Sequence, residues 1–157
     1  MNKLAVISSF LGASHNRYIS YQPERSLEAR FGAARGIEGL DGLELCYPAD
    51  FAEPALLRRL LADTGLGIAA VNFRSRRTGQ WMRGSFSSAH AAERQAVEDD
   101  CKRAIDLAGE LGCLRITTFP LNDGHDYPFE ADNRVQYAGA EETFSAICAY
   151  SPAKRIS

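Results

Sequence analysis

Two hydrophobic patterns take turns along the chain: short runs in which apolar residues alternate or cluster, and longer runs in which they recur every three or four positions. The first short run, residues 4–9, reads as a strand. A long polar connection leads from it to a helix over 26–35, with Ser26 able to cap its start and Gly36 able to end it. Residues 43–46 read as a second strand and 54–63 as a helix. Pro54 suits the first turn, where no backbone donor is lost, and Leu56, Leu57, Leu60 and Leu61 share one face before Gly65 stops the helix.

A third strand is expected over 68–72, then an arginine-rich loop and a long helix that Ser87 or Ser88 caps and that ends at Leu111. Val97, Cys101, Ala104, Ile105, Ala108 and Leu111 form a stripe suited to packing on a sheet, and Gly112 follows. Residues 114–119 read as a fourth strand, 120–132 as a loop and 134–150 as a helix. Ser151-Pro152 breaks that helix, and 155–157 opens a fifth strand. Short strands that alternate with amphipathic helices and rejoin through glycine define parallel βαβ units. Loops after strands are long and polar, whereas those after helices are short, and function gathers at the strand C-terminal ends of such sheets.

At 157 residues and 45% hydrophobic composition, one domain with a real core is expected over 1–157. A formal net charge of -2 provides no positive field for a phosphate backbone, so no nucleic-acid partner is expected. The apolar start is too short for a signal or membrane segment, and a cytoplasmic location without membrane partners is expected. Cys46, Cys101, Cys113 and Cys148 are widely spaced beside apolar neighbours and read as reduced core thiols.

Candidate chemistry lies at the strand ends. Glu44, between two leucines, faces away from them. It serves either a substrate or an internal ion pair, for example with Arg115, because unpaired burial of charge is costly. Asn72 ends the third strand, where its amide meets either a polyol or a loop backbone. Arg74, Arg76, Arg77 and Arg83 around Trp81 form either an anion site or a solvated charge run, and no nucleotide-binding glycine spacing accompanies them. The densest polar loop follows the fourth strand: Asn122, Asp123 and His125 suit hydroxyl recognition or proton transfer, although the first two are also ordinary turn residues. His15 holds a weaker position of the same kind, and His90 reads as a surface residue.

Gly42-Leu-Glu-Leu, Arg83-Gly-Ser-Phe-Ser-Ser and Arg115-Ile-Thr-Thr-Phe-Pro-Leu-Asn-Asp-Gly-His-Asp-Tyr-Pro-Phe, in this order, resemble the xylose-isomerase-like barrel superfamily, in its sugar (phosphate) isomerase/epimerase branch. The resemblance implies an α/β fold, a partial (β/α)8 TIM barrel of about four βα units with parallel strands, forming the N-terminal part of a barrel that takes about 250 residues. It implies a sugar substrate, with Glu44, Asn72, Asn122, Asp123 and His125 as substrate-wall residues. A divalent metal (Mn, Mg or Zn) is implied for the complete barrel, held by later strands, and none for this chain alone; catalytic residues are not assigned. The function expected is thus a segment of an isomerase or epimerase acting on a ketose or related polyol, inactive by itself. The alternatives are an endonuclease-type member of the superfamily, or a non-catalytic half-barrel that self-associates through its open sheet edges.

Overall fold

The computed structural model describes residues 3–12, 21–75, 77, 80–81, 83–119, 125, 127, 129–150 and 155–156. It is an α/β structure of parallel strands and helices, in two compact units that meet in sequence between Asn72 and Phe73.

In the first unit, β1 (Ala5–Ile7) pairs in parallel with β2 (Gly42–Tyr47), Val6 opposite Leu43 and Ile7 opposite Glu44. On its other side β2 neighbours β3 (Gly67–Phe73). Helix α1 (Leu27–Arg35) begins as expected: Ser26 Oγ accepts the Ala29 N–H at 3.3 Å, and Gly36 is the C-cap. Helix α2 (Pro54–Thr64) has Pro54 in its first turn and ends on Gly65, whose φ of 71° is left-handed. Of its leucine face only Leu57 is fully buried; Leu56, Leu60 and Leu61 are half-buried. Phe31, Ala34, Leu43, Leu45, Leu57 and Val71 form the core. Gly42 has no room for a side chain, because a Cβ there would lie 2.6 Å from the Gly67 carbonyl oxygen.

In the second unit, α3 (Ala91–Glu110) leads to β4 (Arg115–Thr118), and α4 (Asn133–Tyr150) to β5 (Arg155–Ile156), which pairs with β4 in parallel. The expected stripe packs as read: Val97, Cys101, Ala104, Ile105 and Ala108 are fully buried, with Leu111 at its half-buried end. Phe86 completes this core, its ring centroid 5.7 Å from Phe73 and 4.7 Å from Phe144.

Two expectations change. Helix α3 starts later than the serines suggest, with His90 at the N-cap and no side-chain cap bond. Ser87 Oγ instead bonds the Gly84 carbonyl, and Ser88 Oγ accepts the His90 N–H and donates to Glu93, fixing the turn ahead of the helix. Cys148 is exposed, not core, because its position on α4 faces away from buried Thr143 and Ile147; the other three cysteines are buried, and all four are free.

Candidate functional site

The fold joins two of the residues read as a substrate wall. Glu44, in the middle of β2, lies between fully buried Leu43 and Leu45 and is itself half-buried. Asn72, near the end of β3, is buried and donates from Nδ2 to Glu44 Oε1 at 2.5 Å. Asn72 thus reaches a carboxylate of the neighbouring strand. An ionised carboxylate has about four acceptor sites, and an amide that occupies one of them orients the group.

A second polar centre at the ends of β1 and β2 escaped the sequence reading. Asp50 is completely buried. It accepts from Ser8 Oγ, from Arg30 Nη1 at 2.7 Å and from the Cys46 N–H at 2.8 Å. These bonds tie the end of β1 and helix α1 to the turn after β2. Nothing in the run Tyr47-Pro48-Ala49-Asp50 distinguishes this carboxylate from a solvated turn residue.

The arginine loop after β3 resolves in part. Arg77 bonds Asp100 and the Arg74 carbonyl, and its guanidinium lies 4.9 Å from the Trp81 ring centroid and 5.6 Å from that of Phe73. Asp100 also holds Arg103 at 2.9 Å. Arg77 is thus a structural cation, stacked and paired rather than presented to an anion. Asp100 was discoverable: three residues after Val97 and four before Ala104, it sits on the apolar stripe of α3.

His125 lies against a cleft of about 400 Å³ that the first turns of α3 and α4 also line. Its Nδ1 is 3.5 Å from Glu130 Oε2. Asn122, Asp123, Arg76 and His15 lie outside the described residues. His90 is exposed, as expected. Among the described residues no three His, Cys, Asp or Glu side chains gather as metal ligands. No helix among the described residues is long and apolar enough to cross a membrane.

Parallel strands, intervening helices and polar side chains at the strand ends define one part of a TIM-barrel type of α/β protein. Solved structures at 17–24% identity share this fold. A D-psicose 3-epimerase crystallised in the presence of D-fructose matches 99% of this chain and 51% of its own, at 17% identity and a TM-score of 0.68. An L-ribulose 3-epimerase matches 100% and 49%, at 24% identity and a TM-score of 0.67. A family 2 AP endonuclease from Brucella melitensis matches 99% and 54%, at 18% identity and a TM-score of 0.65. The chain therefore spans about half the length of these structures. No family model and no curated protein matches it.

Proposed function

We propose that this chain is the N-terminal, substrate-facing part of a sugar isomerase or epimerase, acting on a ketose or related polyol by proton transfer. The observation that carries the reading is the Glu44–Asn72 pair, a carboxylate oriented by an amide toward the end of β3 on a fold shared with two sugar epimerases. In this reading Glu44 accepts a substrate hydroxyl while Asn72 holds its other oxygen. Loop residues Asn122, Asp123 and His125 add further hydroxyl contacts. The remaining βα units supply the proton-moving groups and a divalent ion (Mn, Mg or Zn), whose chemistry when bound is to polarise the sugar carbonyl.

The test is ketose turnover by the complete barrel, made by joining this chain to the missing βα units. Glu44→Gln is expected to lower kcat/KM by about tenfold or more, as loss of a hydrogen bond to a charged group does, with the melting temperature close to that of the parent. Parental kinetics in Glu44→Gln would remove the residue from the site. The 157-residue chain alone is expected to show no turnover.

Likeness to an AP endonuclease supports a second reading, cleavage of damaged DNA. A net charge of -2 and the commitment of Arg77 to Asp100 count against it. Salt-sensitive binding to abasic-site duplexes would favour it over the sugar reading.

A further inference from the structure

The cleft beside His125 has a composition that discriminates between ligands. Arg83, His90 and His125 line it with Glu93, Glu130 and Asp132, while Val135 and two alanines add apolar surface. Its volume, about 400 Å³, is at the small end of the range for small-molecule sites. Hydroxyl groups both donate and accept, so a wall that interleaves guanidinium, imidazole and carboxylate matches a polyol along its whole edge.

Two helix N-termini open on this cleft, and such ends commonly attract phosphate. Here each is already served by the chain's own acceptors. Asp132 Oδ1 accepts the Arg134 N–H at 2.9 Å ahead of α4. Ser88 Oγ accepts the His90 N–H at 3.1 Å ahead of α3, and Glu93 lies in the first turn of that helix. Asp132 is offset by Arg134 at 3.4 Å, which leaves Glu93 and Glu130 against Arg83 and so disfavours a phosphate dianion. His125 Nδ1 is buried and finds no hydrogen bond among the described residues, its 3.5 Å separation from Glu130 being too long for a good one. A ligand hydroxyl beside both could satisfy the imidazole nitrogen.

We propose that this cleft binds a free, unphosphorylated monosaccharide through its hydroxyls, with His125 and Glu130 as specificity-determining contacts. The inference rests on the sugar reading above and specifies its substrate as uncharged. The 157-residue chain is titrated with D-fructose and with fructose 6-phosphate, following backbone amide signals by NMR. Saturable shifts are expected for D-fructose at residues 89–93 and 130–136. Binding should weaken about five- to tenfold in His125→Asn and in Glu130→Gln, the loss expected of one hydrogen bond in a partly buried site. Circular dichroism checks the fold of both variants. The phosphate ester should bind more weakly than the free sugar and gain affinity in Glu93→Gln.

Signals unmoved by D-fructose in the folded chain would overturn the proposal. Tighter binding of the phosphate ester, lost in Arg83→Gln, would overturn it too. Turnover by the complete barrel separates the two readings. Turnover with no binding at the cleft removes only the cleft, whereas binding without turnover sustains the cleft and removes the epimerase.

Discussion

Asp50 is the residue on which the first unit most depends. Its buried carboxylate meets a hydroxyl, a guanidinium and a backbone N–H, and the guanidinium of Arg30 is itself mostly buried. Removing one partner of such a pair leaves the other charge uncompensated, which costs more than the pair contributes when intact. Asp50→Ala is therefore expected to lower unfolding free energy by about 3 kcal/mol, read from the urea midpoint at unchanged m-value. A loss below about 0.5 kcal/mol, the level of ordinary surface substitutions, would show that Arg30 and Ser8 find water instead. Glu44 and Asp50 look alike in the sequence, each a lone carboxylate near the second strand. Alternation within the strand singled out Glu44, but only the folded chain reveals Asp50, because its side-chain partners lie 42 and 20 residues away in sequence.

Among the elements, β2 was the most readable in character and the least in its limits. Its buried leucines and the half-buried glutamate between them follow from period-two alternation, yet the strand extends one residue beyond the expected 43–46 at each end, to Gly42 and Tyr47. Gly42 lies just outside the expected strand, and its role depends on a neighbouring strand: the Gly67 backbone occupies the space a side chain would take. Gly42→Ala is expected to push the two strands apart and destabilise by about 1–3 kcal/mol, the range for overpacking a close contact. A melting temperature equal to the parent's would mean that β2 and β3 shift without strain. The start of α3 misled for a related reason. Serine is a good N-cap by type, but Ser88 spends its hydroxyl on the turn before the helix, and tertiary contacts, not propensity, choose the first helical residue.

At the scale of the whole molecule, the alternation of strands and helices was legible because it rests on local periodicity. The grouping of side chains into sites was less so, because it rests on contacts between distant segments. Glu44 and Asn72 were each placed at a strand end, but their bond became visible only once β2 and β3 lay side by side. Stability toward alkali is a property of the same scale. Burial, and then the nearby Asp100 carboxylate, push the Cys101 thiol from 9.0 up to about 12. Between those values the unfolded chain has lost this proton and the folded chain keeps it, so stability falls as pH rises. Cys101→Ala should flatten that part of the stability curve in denaturation between pH 9 and 11, whatever its cost at pH 7. An identical alkaline slope in both proteins would assign the loss to other groups.

The contact of Arg77 with Asp100 and Trp81 has a consequence for chain statistics. It pins the connection between β3 and α3 part-way along, so one long closure becomes two shorter ones. Each halving of a flexible loop lowers the closure cost by about 0.6 kcal/mol. The downstream piece, which carries Arg83 and Ser88 to the cleft, is thereby confined before any ligand arrives. A ligand held there has less chain to bring to rest.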